Sequence, residues 1–178
     1  NKTFCADYTF SFEFPKLAFL LPENDSRVGE WAFASIGLHR EKIQSLETQN
    51  YYLQQADVQA WVKKRSRYAH KGLYGHALLI AGSQGMMGAA LLSGQAILRS
   101  GTGLLTIHAP ACGYPILQMG LPEAMVSSDR HQFNFSEMPE LAKYSAVGIG
   151  CGLGTKDFSI RGLDEFLGAI GQKPLVID

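Results

Sequence analysis

The chain has 178 residues, room for about one domain or pieces of two, and it sets 16 Lys+Arg against 16 Asp+Glu for a formal net charge of zero. That balance offers no electrostatic attraction to nucleic acid or to an acidic membrane surface. No apolar stretch approaches the ~20 residues of a membrane span, no basic-plus-apolar secretion signal opens the chain, and its 3 cysteines form no C-x-x-C pair, which suits a reducing compartment. The expectation is a cytoplasmic α/β protein.

Taken in order, both ends read as cut. The chain opens without Met on Asn1-Lys2, heading into a strand, and closes on Pro174–Asp178, a buried-strand run. Ala6–Phe14 alternates aromatic and polar side chains, the period-two sign of a strand with one buried face. Leu17–Leu21 is apolar, Pro22–Asp25 reads as a turn, and Gly29–Leu38 as another strand. Asp7, Lys16 and Glu23 read as solvated. Arg40–Gln55 is polar and reads as a linker; Ala56–Val62 starts a short helix with Asp57 placed to cap it. Lys63, Lys64, Arg65, Arg67 and Lys71 form a basic run. It is either a solvated helix end with cations at the negative dipole terminus, or a segment whose Lys71, beside Gly72, faces an anionic ligand.

The centre of the chain is Gly75–Pro110. His76–Ala81 is a short apolar run without helical spacing, the pattern of a strand buried on both faces. Gly82, Gly85 and Gly88 follow at three-residue spacing, then Ala89–Ser100 reads as a helix stopped by Gly101-Thr102-Gly103. Leu104–Ala109 is a second apolar strand, which makes a right-handed βαβ unit. The glycine loop has two readings. In one it cradles an anion or cofactor with backbone N–H groups at the helix start, with Ser83 adding a hydroxyl at the mouth. In the other its glycines serve only a tight turn and close helix–sheet packing. The pattern is neither G-x-G-x-x-G nor a P-loop.

Leu121–Val126 looks like a strand entry, followed by a polar stretch to Lys143. Tyr144–Gly150 is a third buried strand, and Gly148, Gly150, Gly152 and Gly154 lead past Cys151 into a helix over Phe158–Ile170, which Thr155 and Asp157 are placed to cap. Ligands of open parallel sheets sit beyond the carboxyl ends of the strands, so both glycine turns and Asp178 are expected to face one crevice. Cys151 reads as a packed thiol, with a thiolate at a helix entry as the alternative. Met86-Met87 reads as apolar packing, or as a flexible wall for a ring-shaped ligand. The five histidines lack metal-ligand spacing, so no metal site is assigned. Ser83 lies in G-S-Q-G rather than in a nucleophile elbow.

These residues carry a resemblance. His70-Lys71-Gly72, Tyr74-Gly75-His76, Ala81–Ala90 and Arg99–Leu104 resemble the ADP/ATP-dependent NAD(P)H-hydrate dehydratases of the ribokinase-like superfamily. The likeness continues through Leu121–Val126, Gly148–Gly154 and Pro174–Asp178. The earlier Ala6–Phe10, Pro15-Lys16 and Ile36–Leu38 resemble the end of an NAD(P)H-hydrate epimerase domain. The order of the two fits the fused bacterial repair enzymes. The resemblance implies a three-layer α/β/α fold with a mostly parallel sheet, incomplete at the C-terminus and preceded by a short β segment of an upstream α/β domain. It divides the chain into an epimerase-like tail and linker, 1–48, and the first half of a dehydratase domain, 49–178.

The implied function is metabolite repair: dehydration of the S epimer of hydrated NADH or NADPH, driven by ADP in preference to ATP, with Mg2+ admitted as a companion of the nucleotide. In that family the ring hydroxyl is activated by phosphoryl transfer and eliminated. The parent protein would also epimerise the hydrates and form a homo-oligomer. By motif match Ala89 and Gly152 contact the hydrated cofactor, Gly82, Ser83, Gly88 and Gly150 shape the cleft, and Lys71 joins them as the basic candidate. The family pattern has proline where this chain has Cys151. The family's catalytic Asp, in a G-T-G-D turn, its histidine-containing substrate motif and its nucleotide-binding region have no counterpart in this sequence. No catalytic residue is therefore assigned, and the chain alone is expected to be inactive. Two alternatives remain: a ribokinase-like kinase of a vitamin-precursor alcohol, and a non-catalytic nucleotide-binding fragment.

Overall fold

The computed structural model describes residues 3–62 and 64–178. Asn1-Lys2, read as the lead into a strand, and Lys63 of the basic run lie outside the described residues. The chain divides into two compact units, Asn1–Lys64 and Arg65–Asp178.

In the first unit β1 (Tyr8–Phe12) pairs in parallel with β2 (Glu30–Ala34), Tyr8 opposite Glu30, and α1 (Asp25–Val28) lies on the connection between them. The alternation of β1 is present, yet the buried position is Ser11, while Tyr8, Phe10 and Phe12 are exposed. The strand expected over Gly29–Leu38 is shorter at both ends. Gly29 turns at φ +61, and beyond Ala34 the Glu13 carboxylate accepts from Ile36 N–H and Ser35 Oγ, each at 2.9 Å, in place of a strand partner. These bonds hold the Glu13 carboxyl below its ordinary range, led by the Ile36 N–H. The presumed linker contains α2 (Arg40–Gln44), whose Lys42 N–H donates to His39 Nδ1 at 3.3 Å. In α3 (Gln55–Trp61) the N-cap is Gln54, and Asp57 closes the turn from its third position by accepting Gln54 N–H at 2.9 Å.

The second unit is a five-stranded, wholly parallel sheet in the order β5-β4-β3-β6-β7. In chain order it runs β3 (His76–Ala81), α4 (Met87–Arg99), β4 (Leu104–Ala109), α5 (Tyr114–Gly120), β5 (Met125–Ser128), β6 (Ala146–Gly150), α6 (Asp157–Ala169) and β7 (Leu175–Ile177). The strand period of two splits β3 between two cores. Leu79 and Ala81 pack with Leu105, Ile107 and Leu117 under α4 and α5, and Leu78 and Ile80 with Val147, Ile149, Phe135 and Phe166 under α6. Burying each such large apolar side chain contributes about 1.5–3 kcal/mol before the entropy of ordering is counted. Sheet and helices thus form the three α/β/α layers the resemblance implies.

Several boundaries differ from the expectation. Helix α4 begins at Met87, two residues early, because Met87 turns into the core at 5% exposure while Met86 stays outside. Strand β5 starts only at Met125; Leu121 and Ala124 ahead of it form a buried turn, with Ala124 N–H on Leu121 O. The N-cap of α6 is Lys156, which makes no side-chain cap bond, so neither Thr155 nor Asp157 caps that helix. In the basic run, Arg65 donates to Gly101 O at 2.7 Å and stacks over Tyr74. Its cation therefore meets the carboxyl end of α4.

Candidate functional site

At the carboxyl ends of β3 and β6 the chain makes two glycine turns that are bonded to each other. Gly82 N–H donates to Cys151 O at 3.0 Å, and Ser83 Oγ to Gly152 O at 2.7 Å. The third strand of the group joins through Cys151 N–H, which donates to Asp178 Oδ2 at 3.1 Å. In front of them lies a cavity of about 560 Å³ lined by Gly85, Met86, Gly88, Ala89, Leu92 and Ser93 on one side and Cys151, Gly152 and Asp178 on the other.

The expected site residues separate by position. Gly88, Ala89 and Gly152 line this cavity. A Cβ on Gly88 would meet nothing within 4 Å, whereas one on Gly152 would lie 3.1 Å from Met86 Cβ. Gly82, at φ +85, packs behind the turn, where a Cβ would lie 2.8 Å from Met87 Cε. Gly150 lies against Asp178. The Ser83 hydroxyl, expected at the mouth of the loop, is instead buried at 2% exposure and committed to Gly152. Lys71 lies before β3, in a short turn over Lys71–Tyr74. Six strand residues at ~3.3 Å each put it on the order of 20 Å from the glycine turns, at the other end of the sheet.

Cys151 has φ +25, a left-handed conformation rare outside glycine. Its thiol accepts from Ser93 Oγ at 3.2 Å and packs against the core under α4. Helix α6 starts six residues further on, so the thiol is not at a helix entry. Met86 forms a wall of the cavity and Met87 belongs to the core, which divides between them the two roles read for the pair.

Chemically the cavity offers backbone donors and one carboxylate. Of the first-turn N–H groups, that of Gly88, which lines the cavity, has no partner within α4, and the positive end of a 13-residue helix stands behind it. Among the described residues no Lys or Arg lines it, and Asp178 is the one acidic side chain that does. Among the described residues no group of three His, Cys, Asp or Glu is placed to hold a metal ion. Mg2+ needs no such cage when nucleotide phosphates and water complete its shell, so the lone carboxylate is compatible with it.

Sequence reasoning passed over the segment between β5 and β6. Asp129, directly after β5, is buried beside His108 at the end of β4, with His108 Nε2 to Asp129 Oδ2 3.4 Å. Nε2 also faces Glu137 O at 3.2 Å, so the proton sits there and Nδ1 accepts from Ser127 Oγ at 3.0 Å. Burial lowers the His108 pKa and outweighs the neighbouring carboxylate, so the ring is neutral. Burial pushes Asp129 upward, but hydrogen bonds from Ser136, His131 and Glu137 overcome it and leave the carboxyl below its ordinary range. Nothing in the spacing of 129–137 signals this, because its partners are close in space rather than periodic in sequence.

Fold and cavity define a class: an open parallel α/β domain with a backbone-donor cradle at the carboxyl edge of its sheet. The profile of the NAD(P)H-hydrate dehydratase family matches residues 77–178. A bifunctional NAD(P)H-hydrate repair enzyme of Coxiella burnetii is 32% identical over 164 residues, 91% of this chain and 33% of that protein. The crystal structure of the ADP/ATP-dependent NAD(P)H-hydrate dehydratase of Bacillus subtilis, co-crystallised with ATP and Mg2+, superposes with a TM-score of 0.57 at 35% identity, covering 69% of this chain and 43% of that one. A ribokinase-like superfamily protein of Enterococcus faecalis shares the fold, with a TM-score of 0.58 at 24% identity over 72% of this chain and 47% of its own. The chain belongs to the NAD(P)H-hydrate dehydratase family. It spans less than half the length of the curated relatives it matches.

Proposed function

We propose that the chain supplies the hydrated-cofactor cradle of a nucleotide-dependent NAD(P)H-hydrate dehydratase acting on the S epimer of hydrated NADH or NADPH. The observation that carries this reading is the convergence of two glycine turns on one cavity of about 560 Å³, within the range of small-molecule sites. The N–H group of Gly88 at the start of α4 takes the cofactor's pyrophosphate, Ala89 and Gly152 flank it, and Met86 lies against a ring. Gly82, Ser83 and Gly150 act behind this surface by fixing the two turns. Lys71, at the other end of the sheet, has no part in the cradle.

A nucleotide supplies the phosphoryl group that turns the ring hydroxyl into a leaving group, ADP in preference to ATP. Elimination of phosphate with loss of a ring proton then restores the reduced nicotinamide. The family's catalytic Asp sits in a G-T-G-D turn that this sequence does not contain, so no residue here is assigned as the base and the 178 residues alone are expected not to turn over. Residues 1–48 are the tail of an epimerase-like domain and 49–178 the first half of the dehydratase domain. The whole protein also epimerises the hydrates, is a homo-oligomer and works in the cytoplasm. The decisive experiment follows reduced-nicotinamide absorbance from hydrated NADH with ADP and, separately, with ATP. This chain is run beside a polypeptide extended through the rest of the domain. Turnover in the longer polypeptide only is the expected result. Phosphorylation of an alcohol without dehydration would move the protein to the kinases.

A further inference from the structure

The geometry points to Asp129 as a positioning residue that holds the Gly82–Gly88 turn in place through the loop between β5 and β6. Its carboxylate is saturated. Oδ1 accepts from His131 N–H at 2.7 Å and Ser136 Oγ at 2.5 Å. Oδ2 accepts from Ser136 N–H at 2.7 Å and Glu137 N–H at 3.1 Å. Nothing is left for a ligand, and at 2% exposure none reaches it. The carboxylate ties both ends of the loop to one point, and the carbonyls of that loop then face outward to three neighbours.

Phe133 O accepts Gln84 N–H at 2.8 Å, inside the glycine turn, and His131 O and Gln132 O accept Ala111 and Cys112 N–H after β4. Phe135 O accepts Ser159 Oγ of α6 at 2.6 Å. The turn therefore hangs between β6, through Gly82 and Ser83, and the Asp129 loop, through Gln84. An amide at position 129 presents N–H to at least one of the backbone donors now satisfied. A buried donor without an acceptor is costly enough that the loop opens instead. The pair Arg130–Glu137, 2.9 Å across the same loop with its Arg130 side chain exposed and Glu137 half-buried, makes a control because ion pairs open to solvent contribute little.

The inference takes its ligand from the reading above, but its first test does not depend on that reading. Residue-resolved amide hydrogen exchange is measured on the 178-residue chain and on Asp129→Asn, Ser136→Ala and Glu137→Gln at constant pH. In Asp129→Asn, Gln84, Ala111 and Cys112 are expected to exchange about tenfold faster or more beyond any common rise that Ile80 and Ile107 in the strands report. Ser136→Ala shows the same order at smaller amplitude, and Glu137→Gln resembles the parent. Unchanged protection at Gln84 in a folded Asp129→Asn overturns the inference. If Asp129→Asn does not fold, Ser136→Ala decides, and a uniform rise across turn and strands overturns it. Titration with hydrated NADPH is the second arm: affinity falls at least several-fold in Asp129→Asn, and full affinity with a loosened Gln84 overturns the positioning role. A parent chain that binds no hydrated NADPH refutes the ligand assignment, and the Gln84 result still decides the clamp.

Discussion

Gly88 and Gly152 face the same cavity, but their backbones require different things. Gly88 sits in the first turn of α4 at an ordinary helical φ, and a Cβ there would meet nothing within 4 Å. Gly88→Ala is therefore expected to stabilise the fold by up to about 0.5–1 kcal/mol through helix propensity, while its methyl intrudes on the cradle and weakens hydrated NADPH binding. Urea denaturation and calorimetric titration should move in opposite directions; a variant that binds as well as the parent would remove Gly88 from the site. Gly152 has φ +82 and Met86 O 3.3 Å from its Cβ position, so Gly152→Ala costs about 1–2 kcal/mol of backbone strain as well as affinity. Ser83→Ala loses the 2.7 Å bond to Gly152 O, expected at about 1 kcal/mol in urea unfolding. The glycine spacing marked where the backbone comes close, but not which glycine needs a positive φ. Nor did it show that Ser83 points inward, since hydroxyl direction depends on a partner 69 residues away.

The elements most legible in the sequence were those buried on both faces. His76–Ala81 and Leu104–Ala109 matched as read, since strands packed between two layers are apolar at most positions and that run is visible without alignment. Helix α5 went unread because it is one Pro-led segment of seven residues, too short for a period to develop. The start of α6 went wrong for a local reason: Thr155 and Asp157 are both good capping residues, yet the extended position between them, φ −76 and ψ 146, belongs to Lys156. That vacancy is testable. Lys156 is exposed, and Lys156→Asp or Lys156→Ser would supply the missing acceptor to the first-turn N–H groups, with about 0.5–2 kcal/mol of stabilisation expected. Melting of the second unit should rise for both, and for Asp somewhat more at low salt through the helix dipole. An unchanged melting temperature would mean the first turn is already satisfied by water.

At the scale of the whole molecule, the buried titratable groups set how the fold responds to acid. His108 is held neutral by burial against the pull of Asp129. His76 is lowered in the same way, by burial and then by Lys143; its ring bonds Thr106 Oγ1 at 2.9 Å and meets Tyr144 edge-on. In the unfolded chain both imidazoles take a proton near pH ~6.5. Below that value the unfolded state binds protons the native state refuses, so stability falls as pH drops from about 6.5 toward the folded pKa values. Asp129 adds a second step of the same sign. Its folded pKa is depressed, so the stability it contributes is present above pH ~3.9 and lost as pH falls through the folded value. The urea midpoint of the second unit is therefore expected to be flat above about pH 7.5 and to decline in acid. His108→Gln should make the decline between about pH 6.5 and 5 shallower, and Asp129→Asn should remove the step below pH 4 while lowering stability at neutral pH. Trp31 and Trp61 both lie in the first unit, so tryptophan fluorescence does not report this transition; exchange at Ile80 and Ile107 does. A midpoint that rises on acidification, or a His108→Gln profile that superposes on the parent, would show that the His108–Asp129 pair does not carry the acid response.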